Sequence, residues 1–142
     1  MIDGLSTTQL SSLTSTQLKG LSGSAVSALS AEQFSVLNTT QVTQLTATQI
    51  KGLTATDVNE LTGTQLAALS STQFASLSTA AVSGLSEEQM AALTAPQMKG
   101  LTLATAGLLA ETQLAALSGT QLGALTTTAI KGLTAAHIAQ LS

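Results

Sequence analysis

The 142-residue chain has four basic side chains against seven acidic ones and a net charge of −3, so it lacks the clustered cations that displace counterions from nucleic acid. Cysteine is absent, which excludes disulfides and thiolate metal sites, and no apolar run approaches the roughly 18 residues of a membrane span. Charged residues are 8% and aromatics 1%, which leaves Leu, Val, Ile, Met, Ala and two phenylalanines to build a core.

The opening MIDGLSTTQL lacks the basic region and apolar stretch of a signal peptide. From Leu5 to Leu141, leucine recurs at every eighth position without a gap. A second apolar column follows five residues after each leucine, beginning Leu10, Leu18, Val26, Phe34 and ending Leu122, Ile130, Ile138. The repeating unit is L-[S/T]-x-x-Q-φ-x-x. One continuous helix cannot use it, because eight residues at about 100° each overshoot two turns by about 80° and wind the stripe around the rod. A strand fails as well, since the 5,3 spacing puts successive apolar residues on opposite faces. The helix must restart in every octad.

The first two octads show how. Ser6 with Gln9 and Thr14 with Gln17 are capping boxes, in which the hydroxyl accepts from the N3 amide and the glutamine reaches back to the N-cap amide. Leucine then stands at N′ and the second apolar column at N4, the two halves of a hydrophobic staple. The same caps follow at Thr46 with Gln49, Thr54, Thr62 with Gln65, and Ser70 with Gln73, while Asn38 and Ala110 replace the usual Ser or Thr. The leucine and N4 columns predict a core that includes Leu21, Leu29, Phe34, Leu37, Leu53, Leu61, Leu69, Phe74, Leu77, Leu85 and Leu93. Ser, Thr and Gln are expected on the surface. Glu32, Asp57, Glu87, Glu88 and Glu111 fall at N1 to N3, and Pro96 falls at N2, where its missing N–H breaks no helical bond. Lys19, Lys51, Lys99 and Lys131 fall near helix ends, each followed by a glycine placed to stop the helix in the left-handed conformation.

A longer period overlies the octad. The four lysines share one phase modulo 16, and Gly4, Gly20, Gly52, Gly84, Gly100 and Gly132 share the next. This predicts an all-α solenoid, a single domain over 1–142, with two short helices per 16-residue coil. About nine coils at roughly 8 to 10 Å each would make a rod of about 80 Å.

Residues 101–114, LTLATAGLLAETQL, depart from the pattern: Thr105 replaces Gln, Ala106 replaces the large apolar residue, and Leu103 and Leu108 stand where small or polar residues belong. Either one of these leucines fills the space Ala106 leaves, or the pair is an exposed patch for a partner. His137 holds the N3 place of glutamine and reads as its capping substitute. Glu87 and Glu88 read as helix-dipole partners rather than a cation site. No titratable groups converge, so no enzyme, cofactor, metal or small-molecule ligand is expected. Threonine recurs at N2 in ten octads, which reads as a neutral surface, with ice binding as the alternative; Glu32, Ala80, Glu88, Pro96 and Ala104 interrupt the row. The chain opens inside an octad at Ile2 and Leu5 and closes on the staple and cap Leu141-Ser142, with no polar capping repeat at either end. Open ends predict head-to-tail association into a homo-oligomer or filament.

Stretches such as LTATQIKGLTATDV and LSGTQLGALT resemble the Thr/Gln/Ala-rich octapeptide repeats of large bacterial secreted or cell-surface proteins, with units such as ALTTAQIAAL. The resemblance covers the whole chain. It implies a noncatalytic structural or adhesive module, a stalk or filament-forming building block, in an extracellular or cell-surface protein.

Overall fold

The computed structural model describes residues 4–140 and contains, among them, seventeen helices of four to six residues and no strand. Three faces run along the resulting solenoid. The first is built by α1 (Thr7–Ser11), α4 (Ala31–Ser35), α7 (Ala55–Asn59), α10 (Thr79–Ser83), α13 (Leu103–Gly107) and α16 (Thr127–Gly132). The second holds α2 (Ser15–Lys19), α5 (Thr39–Gln44), α8 (Gly63–Ala68), α11 (Glu87–Ala92), α14 (Glu111–Ala115) and α17 (Ala135–Gln140). The third holds α3 (Gly23–Ser27), α6 (Ala47–Lys51), α9 (Ser71–Ala75), α12 (Ala95–Met98) and α15 (Gly119–Gly123).

Each helix is about one turn long because the next cap interrupts it. The leucine N–H bonds back to the N4 carbonyl, as in Leu13 to Leu10 at 3.2 Å, and the following Ser or Thr is extended, as Thr62 is at φ −66°, ψ 156°. An extended N-cap leaves its own carbonyl free to accept the N4 amide, as Ser6 does from Leu10 at 2.9 Å, so each restart begins with a helical bond in place.

The stacking differs from the expected coil. Helices three apart in the chain pack on one another, as α7 with α10, α8 with α11 and α13 with α16. One coil therefore takes three helices and 24 residues, not two helices and 16. The physical reason is the interior: three one-turn helices around a common axis let both apolar columns of the octads from Leu5 to Leu125 meet in one continuous core. The described helices make just under six coils, so at roughly 8 to 10 Å per layer the rod is about 50 Å long rather than about 80 Å.

The glycine stop is also corrected. Among the described residues no glycine has a positive φ, and the C-cap glycines Gly20, Gly52 and Gly84 are right-handed at φ −74°, −77° and −82°. Glycine is wanted instead for close approach by the coil below. A Cβ on Gly100 would lie 2.8 Å from Ser71 O, and one on Gly52 would lie 3.1 Å from Gly23 O. With a 24-residue coil the 16-residue glycine phase visits all three corners in turn, so it marks no single one.

Leu29, Leu37, Leu53, Leu61, Leu69, Leu77, Leu85 and Leu93 are buried, as are Phe34 and Phe74, whereas Leu21 in the first coil is half-buried against the core. The two columns lean in opposite directions along the rod. In the first coil Leu10, Leu18 and Val26 are fully covered while Leu5, Leu13 and Leu21 are partly open. In the last coil Leu125 is buried, yet Ile130 and Ile138 are 47% and 52% exposed. The N4 residues are thus covered by the following coil, and the leucines cover the preceding one.

Candidate functional site: the junction between coils

Glutamine at N3 joins the helix start to the coil beneath it. In Gln97 the Oε1 accepts from the Thr94 N–H at 2.9 Å, and the Nε2 donates to Leu66 O at 2.6 Å and Leu69 O at 2.8 Å. Gln49 does the same toward Leu18 O and Leu21 O, each at 2.7 Å, and Gln73 toward Thr43 O and Leu45 O, each at 2.9 Å. The recurring acceptor lies 28 residues back, one coil plus half an octad, which is the side-chain signature of the 24-residue turn. These amides are therefore interior groups: Gln97 is fully buried and Gln49 is 1% exposed, against the surface placement expected from the octad. Gln9 and Gln17, in the first coil, are exposed.

The caps form as reciprocal boxes at Ser6 with Gln9, Thr14 with Gln17, Thr46 with Gln49, Thr62 with Gln65 and Ser70 with Gln73. Thr54 closes its box with Asp57, whose carboxylate accepts the Thr54 N–H at 2.8 Å. At Asn38 the side-chain oxygen accepts from the Gln41 amide at 2.9 Å. His137 reproduces both functions of glutamine in the Nε2-protonated tautomer: Nδ1 accepts from the Thr134 N–H at 3.2 Å and Nε2 donates to Leu109 O at 2.9 Å. Among the described residues, no buried side-chain polar atom lacks a partner.

The faces are chemically unequal. From α7 onward the first face carries Asp57, Ala81, Thr105 and Ala129 at N3, none of them glutamine, whereas on the other two faces only Ala25 and His137 depart. Those four positions are 24 residues apart. This is the signal from which the coil length could have been read; the lysine and glycine phases masked it.

Small N3 residues let helices of the first face close up, most tightly at α13 and α16. A Cβ on Gly107 would lie 2.8 Å from Gly132 O, and one on Gly132 would collide with Leu103 O. Ala106, on the same helix as Gly107, is fully buried. Leu103 and Leu108 do not turn inward beside it; they are 51% and 60% exposed.

The N2 threonines are shared among the three faces. On the second, Thr16, Thr40 and Thr64 are followed by Glu88; on the third, Ser24, Thr48 and Thr72 are followed by Pro96; on the first, Glu32, Ala80 and Ala104 break the row. No face carries more than three consecutive threonines among the described residues. The groove of about 560 Å³ between α6 and α9 has Lys51 as its sole charged lining residue, whereas the one between α11 and α14 is lined by Glu87 and Glu88. No group of three or more His, Cys, Asp or Glu among the described residues could hold a metal ion, and no described helix is long and apolar enough to cross a membrane.

Besides Leu103 and Leu108, the large exposed apolar side chains among the described residues lie in the last coil. The first coil presents half-buried Leu5, Leu13 and Leu21 beside the exposed Gln9 and Gln17; the last presents Ile130, Ile138 and half-buried Leu122 and Leu133. The expected end residues Ile2, Leu141 and Ser142 lie outside the described residues.

No curated protein and no solved structure matches the chain. The hexapeptide ALTAPQ, residues 92–97, runs from the end of one helix through staple, cap and N3 glutamine of the next. It lies within residues 71–103, the segment that matches a family model described as the ALTTAQ repeat, which makes this a repeat protein built as a helical solenoid.

Proposed function

We propose that the chain is a noncatalytic structural repeat module, a stiff spacer or stalk segment of a bacterial secreted or cell-surface protein. The observation that carries this reading is the direction of the glutamine amides. The most versatile polar group of the repeat is committed to the coil below, through bonds such as Gln97 to Leu66 O and Leu69 O, and so contributes stiffness rather than ligand recognition. The titratable side chains are spread over helix starts and ends instead of converging on a cleft. The octad resemblance supplies the bacterial surface setting.

A spacer should have a length set by its number of coils. Deleting residues 55–78, one coil, should leave a folded rod shortened by one layer, about 8 to 10 Å in the maximum dimension from small-angle scattering. Duplicating the same segment should lengthen it equally. A dimension that does not follow coil number refutes the spacer reading. For the surface setting, an antibody against this segment should label intact bacteria that carry the parent protein; labelling only after lysis refutes it.

A further inference from the structure

We infer that His137 makes the junction between α14 and α17 a pH-sensitive contact, closed while the imidazole is neutral and opened by its protonation. The contact lies between two described helices, whatever octads adjoin the segment.

His137 is the single histidine of the chain, it is 6% exposed, and both ring nitrogens are committed. Nδ1 accepts from the Thr134 N–H at 3.2 Å, which holds the start of α17, and Nε2 donates to Leu109 O at 2.9 Å in the coil below. Only the neutral ring can do both. An imidazolium carries a proton on each nitrogen, so protonation sets an N–H against the Thr134 N–H, and either the cap or the bridge has to be given up. The closed contact thus excludes a proton, and by linkage its stability falls as the pH falls through the range in which an imidazole titrates. Glutamine in the same place has no such dependence. Gln89 and Gln113, on the same face, turn an amide oxygen to the N–H at the helix start and an amide nitrogen to the carbonyl below, and neither group changes its protons.

Other charges around the ring are few. α14, the helix packed on α17, contributes Glu111; α16 contributes Lys131; α15 contributes none, and α17 carries no other titratable side chain among the described residues. Glu111 and Lys131 are opposite in sign and both exposed, where solvent screens their effect on a buried ring. The consequence reaches the core, because Leu114, the N4 residue of α14, is fully buried and N4 residues are covered by the following coil. Releasing α17 would uncover it. Mild acid then turns this one junction into an apolar surface and leaves the glutamine junctions closed.

The experiment is hydrogen exchange read by mass spectrometry from about pH 8 to about pH 5, corrected for the intrinsic effect of pH on exchange, on the unaltered 142-residue chain and on His137→Gln. In the unaltered chain, protection over α17 relative to α11 should fall about tenfold or more across that range, the effect of one backbone group left unpaired. In His137→Gln, which restores the residue of the neighbouring coils on this face, the ratio should stay constant. The NMR signals of the imidazole and of the α17 amides should move with a common midpoint. An equal loss in both proteins assigns the effect to the carboxylates and overturns the inference, and so does a constant ratio in the unaltered chain.

Discussion

Replacing Gln97 by alanine measures what holds one coil to the next. Four groups lose a partner: the Thr94 N–H, bonded at 2.9 Å, the Thr94 hydroxyl, bonded at 3.1 Å, and the carbonyls of Leu66 and Leu69, bonded at 2.6 and 2.8 Å. Leu66 O keeps a second bond, from the Leu69 N–H at 3.1 Å, and the Thr94 hydroxyl belongs to a half-buried residue that can turn it to solvent, so the two backbone groups left unpaired are the Thr94 N–H and Leu69 O. At about 1 kcal/mol or more for each buried group left unpaired, together with the cavity left by a fully buried side chain, the loss should be about 2 to 4 kcal/mol. Gln9→Ala is the matched control, since exposed Gln9 makes the box with Ser6 at 2.9 Å and, among the described residues, bridges to no other coil. It should cost about 0.5 to 1 kcal/mol, the usual worth of a cap. Urea unfolding followed by circular dichroism gives both values, and the difference of about 2 kcal/mol is the contribution of one amide bridge. Equal losses for the two variants would refute the claim that N3 glutamine couples coils.

The other expectations concern glycine and the exposed leucines. Gly100→Ala should destabilise by about 1 to 3 kcal/mol, because its Cβ would sit 2.8 Å from Ser71 O and 3.0 Å from Gln97 O, whereas Gly119→Ala, with nothing within 4 Å, should stabilise by about 0.5 kcal/mol in the same assay. Leu103→Ser with Leu108→Ser should change thermal stability by less than about 0.5 kcal/mol per site, since both side chains are half or more exposed; a loss comparable to the roughly 2 to 5 kcal/mol of a buried Leu→Ala at Leu101 would show that they pack.

The short-range content of the fold is legible in any single octad, whereas the coil length shows only in a comparison of octads, for a physical reason. A capping box is a contract between residues three apart, so Ser6 with Gln9 or Thr62 with Gln65 states the helix start completely in the sequence. The Oε1 of glutamine belongs to that local contract. Its Nε2 belongs to a carbonyl 28 residues away, and nothing in a single octad says how many octads lie between the two. The octad therefore reveals the glutamine as a cap and hides it as an interior group. Glycine misleads in the same manner: its phase suggests a corner with a left-handed turn, while its use is to admit a neighbouring backbone, as at Gly52 beside Gly23, a contact invisible without the coil. The departure at 101–110 is visible in the sequence, but whether Leu103 turns inward depends on how far α16 can descend onto α13, which Gly107, Ala129 and Gly132 decide from elsewhere in the chain.

Direction along the rod comes from the same two columns. Because leucines cover the preceding coil and N4 residues are covered by the next one, an isolated coil would have both columns half-wet, as Leu5 and Leu13 are at one end and Ile130 and Ile138 at the other. An interior coil has neither, and it also gains the bridges of its own glutamines and of those above it. Stability is then a sum of junctions rather than of helices, since a one-turn helix has no stability of its own. Such a sum makes the ends fray first and the centre last, so amide protection in hydrogen exchange should be greatest around Gln49 to Met98 and fall toward α1 and α17. Protection that is flat from end to end would mean that the rod opens only as a whole, with coupling between coils strong enough to hide the weak ends.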